Sequence, residues 1–223
     1  MTDFALARRN MVESQVRPND VTDRDLIAAL MDVPRERFVP KAMRKLAYID
    51  EDVPLKDAGS EGERRWLMEP MPFARLVQLA EIGPKDLVLD IGCGTGYSTA
   101  VLARLAESVV GLESDAELAG RAETRLVDAG VGNAAIVTGD MVQGYPSQGP
   151  YDVIILEGSV ERIPEEIFKQ LRDGGRLVAA VSEGPIGKAT IFRSVAGDIS
   201  PRVAFDINIQ KLPGFEKKPE FVF

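Results

Sequence analysis

Leu87-Val-Leu-Asp-Ile-Gly-Cys-Gly-Thr-Gly96 is the stretch on which the reading of this chain turns. Leu87–Ile91 has the length and apolar content of a short buried strand. It passes straight into a loop of small residues, and Tyr97–Leu105 follows with helical composition. Small residues at such a junction let a ligand approach the backbone, and the helix N-terminus offers N–H groups that have no partner inside the helix. Asp90, Gly92, Gly94 and Gly96 are therefore candidate ligand contacts. The spacing is Gly-x-Gly-x-Gly. A dinucleotide fingerprint needs its third glycine at position 97, where Tyr97 stands, and no Lys-Ser or Lys-Thr follows to make an ATP or GTP phosphate loop. The loop favours a cofactor without a pyrophosphate.

Working downstream, Ser108–Leu112 reads as the next strand and ends at Glu113. Ser114 is expected to cap the following helix, with Glu117 completing a Ser-x-x-Glu box, and the helix should run to about Ala129 and stop at Gly130. Ala135–Thr138, Tyr151–Leu156 and Arg176–Val181 read as further strands, and Pro164–Leu171 as a helix. Segments 189–195 and 202–209 have no helix between them, which predicts an antiparallel pair at a sheet edge. Strands alternating with helices predict an α/β fold with a doubly wound, mostly parallel seven-stranded sheet.

Upstream, residues 1–80 look helical and irregular. Asp3–Val16 fits a helix, and Thr22 is placed to cap a second one through Met31, with Leu26, Ile27 and Leu30 on its buried face. Phe38–Pro40 should be extended and Lys41–Leu46 a short helix. Asp50–Arg65 is charged and glycine-containing, hence a loop, and Met71–Ile82 should be helical. The expected organisation is an N-terminal extension, 1–80, packed on an α/β domain, 81–223, as one compact unit.

Two further acids fall at strand ends. Glu113 is placed to accept the hydroxyl hydrogens of a ribose. Asp140, after the third strand, is placed to accept from an adenine amino group, with Met141 against the ring. Ser114 and Glu157, the latter just beyond the fourth strand, complete the candidate cofactor contacts. Phe215, Phe221 and Phe223 read as packing anchors, and Lys217-Lys218 as solvated.

The bulk composition narrows the chemistry. The 223 residues include 27 basic and 35 acidic ones, a net charge of −8 that disfavours a nucleic-acid partner. No apolar run reaches the length of a membrane span, and the N-terminus lacks a signal-peptide pattern. A single cysteine, Cys93, allows no internal disulfide, so a cytoplasmic protein is expected. There is no histidine. Triads that use histidine are excluded, and no metal site is expected.

Val88–Tyr97, together with Glu113 and Asp140, resembles the class I S-adenosylmethionine-dependent methyltransferases. Met11-Val-Glu-Ser-Gln-Val-Arg17, Val33-Pro-Arg-Glu-Arg-Phe-Val-Pro40 and Tyr48-Ile-Asp50 are similar to the N-terminal signature of the protein-L-isoaspartate O-methyltransferases. Gly96–Ala103, Tyr151–Ile155 and Gly174–Val178 match as well, so the resemblance covers about residues 8–182. It implies a Rossmann-like methyltransferase fold, S-adenosyl-L-methionine as cofactor, and methylation of a carboxylate on damaged aspartyl residues of a protein or peptide. A carboxylate nucleophile with a pKa of ~4 is already ionised at neutral pH and needs no general base. Such chemistry is compatible with a chain that lacks histidine.

The chain departs from the family where the acceptor would lie. The family's Gly-x-Gly-Gln-Thr-Ile-Ser-x-Pro segment is replaced by Glu63-Arg-Arg-Trp-Leu-Met-Glu-Pro70. Aligned on Pro70, Met68 stands at the family serine, and a thioether cannot hydrogen-bond a carboxylate as a hydroxyl does. Arg64 or Arg65 is then available to hold the carboxylate. Three readings follow: an isoaspartyl carboxyl methyltransferase, a methyltransferase with another acceptor such as a small molecule, and a cofactor-binding module without turnover. The catalytic residues are not assigned by the sequence.

Overall fold

The computed structural model describes residues 3–56, 64–182, 184 and 186–217. Glu63, part of the loop expected over 50–65, Lys218, Phe221 and Phe223 lie outside the described residues. The N-terminal part carries α1 (Phe4–Met11), α2 (Arg24–Asp32) and α3 (Pro70–Leu79), with a short antiparallel ribbon of β1 (Val53–Pro54) and β2 (Trp66–Leu67) before α3. The main sheet contains β3 (Leu87–Ile91), β4 (Ser108–Glu113), β5 (Ala134–Thr138), β6 (Tyr151–Val160), β7 (Leu171–Val181), β8 (Gly187–Val195) and β9 (Asp198–Ile207). Its spatial order is β5-β4-β3-β6-β7-β8-β9. Helices α4 (Tyr97–Leu102), α5 (Ala116–Asp128) and α6 (Glu165–Phe168) connect the parallel strands.

Strands β5, β4, β3, β6 and β7 run parallel to one another, and β8 is antiparallel to both β7 and β9. The doubly wound seven-stranded sheet with an antiparallel edge pair is the architecture that the alternation of segments predicts. The pair is joined through Ala196 and Gly197, both at positive φ (53° and 89°), which suits the two-residue turns that match strand twist.

The parallel strands are apolar because both faces are covered. Val88, Val153, Ile155 and Val178 face one cluster, and Leu89, Ile91, Ile154, Leu156 and Leu177 face the other. The first cluster also contains Leu26 and Leu30 of α2, Phe38, and Phe73 and Leu76 of α3, so the N-terminal segment and the sheet share one core. Tyr97 sits at their junction. Its ring lies 5.7 Å from Phe38 and 5.5 Å from Phe73, and the Arg35 guanidinium stands 4.9 Å from its centre. Aromatic pairs of this kind contribute about 0.5–1.5 kcal/mol each beyond their burial.

Element ends differ from the sequence expectation for local reasons. The first helix does not continue unchanged to Val16: Val12–Val16 widens into a π-helical turn. Asp23, and not Thr22, caps α2; its carboxylate accepts from the N–H groups of Asp25 (2.9 Å) and Leu26 (3.0 Å). Ser114 does not cap α5. Asp115 does, accepting from Glu117 N (3.0 Å) and Leu118 N (3.1 Å), because β4 runs on to Glu113 and Ser114 N is already given to the Glu113 carboxylate. Helix α6 is shorter than Pro164–Leu171, since Leu171 pairs with Tyr151 in the sheet.

These assignments separate two neighbouring side chains by experiment. Asp23→Ala should cost about 1 kcal/mol of unfolding free energy in urea, the usual loss for an N-cap. Thr22→Ala should cost almost nothing, because only its backbone N–H is engaged, with Gln78 Oε1 at 2.7 Å.

Candidate active site

Strand order reverses between β3 and β6: the chain moves outward from β3 to β4 and β5, then returns to the other side of β3. Open α/β sheets hold ligands in the crevice at such a switch point, beyond the carboxyl ends of the strands. The loop from Gly92 to Gly96 lies there. Gly92 (φ 86°) and Gly94 (φ 56°) take left-handed conformations that other residues adopt only with strain. Space is as tight as the backbone. A Cβ on Gly92 would fall 2.6 Å from Leu212 Cδ1, and one on Gly94 would fall 2.5 Å from Leu55 Cδ1.

Glu113, at the end of β4, has no exposed surface. Its Oε2 accepts from Gly94 N (2.8 Å). Its Oε1 accepts from Ser114 N (2.9 Å), from Asp115 N (3.1 Å) and from Arg65 Nη1 (2.6 Å). Arg65 Nη2 also donates to Gly92 O (2.8 Å), and Nη1 lies 3.7 Å from Met141 Sδ. One guanidinium thus bridges a strand-end carboxylate and a glycine-loop carbonyl. Sequence reasoning offered Arg65 as a holder of an acceptor carboxylate; the structure sets it on Glu113 instead. No spacing rule could reveal a pairing across 48 positions.

Two more carboxyl groups meet below the loop. Asp90 is fully buried, and its Oδ2 accepts from Ser98 Oγ (2.7 Å) and Thr99 Oγ1 (2.6 Å), while Oδ1 has no partner. Glu157 follows Leu156, which pairs with Ile91, and its Oε1 is closed off from solvent without a partner. Burial pushes Asp90 up to about 6 against the pull of the Thr99 and Ser98 hydroxyls. Burial, and then the adjacent Asp90, push the Glu157 carboxyl well above its ordinary value. Buried polar atoms are rarely left unpaired. These two oxygens, on neighbouring strands, would be completed by a donor or a cation.

The remaining candidates divide. Met141 is buried beside Arg65, whereas Asp140 is exposed and its Oδ1 accepts from Val142 N (3.1 Å). The Ser114 side chain is exposed near Glu113, with its Oγ 3.4 Å from Oε1. Gly96 serves the packing of α4 on α5, since a Cβ there would lie 3.1 Å from Ala122 Cβ. Met68 is buried, and its carbonyl accepts from Arg35 Nη2 (2.5 Å), which pins the segment before α3. Met68 lines a narrow recess with Asp52, Arg65, Trp66 and Glu157. Beside that recess opens a cavity of about 620 Å³ whose walls include Glu51, Asp52, Glu69 and Lys211. Burial, and then Asp52, Asp50 and Glu51, raise the Glu69 carboxyl.

The family model described as protein-L-isoaspartate(D-aspartate) O-methyltransferase matches residues 7–200. A protein-L-isoaspartate O-methyltransferase of Methanoculleus marisnigri is 40% identical over 174 residues, which is 78% of this chain and 76% of that one. Its counterpart from Gloeobacter violaceus is 34% identical over 211 residues, covering 94% and 99%. A solved protein-L-isoaspartate O-methyltransferase superposes with a TM-score of 0.80 at 25% identity, over 93% of this chain and 66% of that one. A Plasmodium falciparum structure described as a putative member, in complex with S-adenosyl-L-homocysteine, superposes at 0.75 over 95% and 99%; at 20% identity it speaks for the fold alone.

The Glu157 carboxyl gives a pH test. Its folded-state pKa is raised, so its contribution to stability is present below its unfolded pKa of about 4.3 and is lost as pH rises. Glu157→Gln should therefore leave the thermal midpoint unchanged near pH 4 and raise it by a few degrees near pH 7.5, at ~2–4 °C per kcal/mol for a chain of this size. Scanning calorimetry at the two pH values reads the difference.

Proposed function

The chain belongs to the protein-L-isoaspartate(D-aspartate) O-methyltransferase family, and from that premise we propose that it transfers a methyl group from S-adenosylmethionine to a carboxylate of isoaspartyl residues in proteins or peptides. One observation supports this above the others. A strand-end carboxylate, Glu113, and two orphaned carboxyl oxygens, on Asp90 and Glu157, gather at the switch point of the sheet.

The residues present fit the cofactor. Arg65 offers N–H donors to Glu113 Oε1 and Gly92 O, the role that ribose hydroxyls would take. Asp90 and Glu157 suit its cationic amino-acid end, the backbone of Gly92 and Gly94 its approach, and Met141 the flat face of its base. Asp140 and Ser114 lie at the rim. When bound, the cofactor supplies a methyl carbon activated by a positively charged sulfur. The chain's own part is to hold and orient. The acceptor carboxylate, with a pKa of ~4, arrives ionised, so no side chain has to remove a proton. Alignment of reacting groups alone can lower a barrier by about 7 kcal/mol or more. The buried Met68 and the half-buried Trp66 would keep water from the reacting face.

A second acceptor is favoured by specific features. Met68 offers no hydroxyl, and Glu51, Asp52 and Glu69 set negative charge beside the recess, where a carboxylate is repelled and a cationic small molecule is not. Cys93 is buried and makes no disulfide, which suits a reducing compartment such as the cytoplasm. Among the described residues no helix is long and apolar enough to cross a membrane.

Radiolabelled S-adenosylmethionine, supplied with an isoaspartyl peptide and its normal aspartyl twin, should leave base-labile label on the first only. S-adenosylhomocysteine should raise the melting temperature. No label on either peptide, with that stabilisation intact, would move the function to another acceptor. Met68→Ser should increase isoaspartyl methylation by about tenfold, the value of one well-placed hydrogen bond to a charged group.

A further inference from the structure

Glu113 is already fully engaged before any ligand arrives. Three of its four close donors, all within 3.1 Å, are backbone N–H groups, from Gly94, Ser114 and Asp115, fixed by the glycine loop and the start of α5, and the Ser114 hydroxyl stands farther off at 3.4 Å. The fourth, Arg65 Nη1, is a side chain that can leave by rotation. Its other arm covers the Gly92 carbonyl, and Nη2 stands 3.1 Å from where a Cβ on Gly92 would lie. The guanidinium therefore rests directly on the glycine loop. Its backbone is fastened, because Arg65 O accepts from Leu55 N (2.9 Å) and Trp66 pairs with Pro54 in the ribbon.

The pair is also dry. The Arg65 side chain is 5% exposed and that of Glu113 is 0% exposed, so its attraction is little screened by solvent. Among the described residues, Arg65 also lines the narrow recess with Asp52, Glu157 and Met68, which gives a displaced guanidinium two acidic neighbours within the same site.

The geometry points to Arg65 as a resident competitor of the cofactor: it occupies the hydroxyl-accepting positions of Glu113 and Gly92, so that binding is an exchange in which the nucleoside displaces the guanidinium. This rests on the cofactor reading above. It predicts that the free protein spends most of its time in a form closed to the cofactor, and that apparent affinity is reduced by the small open fraction. It also predicts that the displacement is visible from the neighbouring position, since Trp66 is the only tryptophan of the chain.

Calorimetric titration with S-adenosylhomocysteine tests it on wild type, Arg65→Ala and Arg65→Lys. Arg65→Ala should bind about tenfold more tightly than wild type or better, as expected if the open fraction is below about one tenth, with Arg65→Lys between them. In wild type, Trp66 emission should shift on saturation; in Arg65→Ala the unliganded protein should already show most of that shift. A folded Arg65→Ala, shown by circular dichroism, that binds no more tightly than wild type would overturn the competitor. Should Arg65→Ala not fold, unchanged Trp66 emission in saturated wild type, or an Arg65→Lys affinity equal to wild type, would overturn it as well. Binding by neither wild type nor a folded Arg65→Ala would overturn the cofactor reading together with this one, whereas equal binding by both overturns the competitor alone.

Discussion

A carboxylate without exposed surface must have its charge answered inside the protein. Glu113 is that group, and answering it ties four parts of the chain together: the end of β4, the glycine loop, the first residues before α5 and the segment leading into β2. Removing one partner from a buried pair commonly costs about 3–5 kcal/mol, because a charge is left unanswered. Here three backbone N–H groups remain on Glu113 whatever the arginine does. The carboxylate is therefore held by the fold, and the arginine is held by the carboxylate.

The N-terminal segment matters to the site through packing. Phe38 and Phe73 close on Tyr97, the first residue of α4, and so fix the helix that follows the glycine loop. Arg35, fully buried, donates its Nε to Ala47 O (2.6 Å) and its Nη2 to Met68 O. Among the described residues it forms no ion pair with a carboxylate, and burial lowers its pKa. It thereby joins three stretches of backbone that would otherwise be linked only by apolar contact. The segment that carries Met68 into the recess is in this way held by residues distant in sequence from the glycine loop.

Much of the fold was legible because its signals are local. The glycine loop, the alternation of apolar strands with helices, and the helix-free gap between the last two strands each follow from a few adjacent residues. The caps were misplaced by one position at both Thr22 and Ser114, since an aspartate next in line competes for the same N–H groups. At the site, the glycines and strand-end acids were visible by position. What Arg65 and Glu157 do was not. The first depends on a partner 48 residues away, and the second on two strands lying side by side without any hydrogen bond to mark it. Asp140, whose place in sequence suggests a base contact, is exposed, and its Oδ1 accepts from Val142 N in a turn of its own.

The bridge from Arg65 to Glu113 and Gly92 also bears on how this molecule answers small-molecule analogues. On the proposed exchange, a fragment that resembles only the base leaves the ion pair whole. A fragment that carries vicinal hydroxyls has to open the pair before it gains any contact with the carboxylate. Two inhibitors of equal size would then differ in how fast they associate, and the slower one would be the closer mimic of the nucleoside.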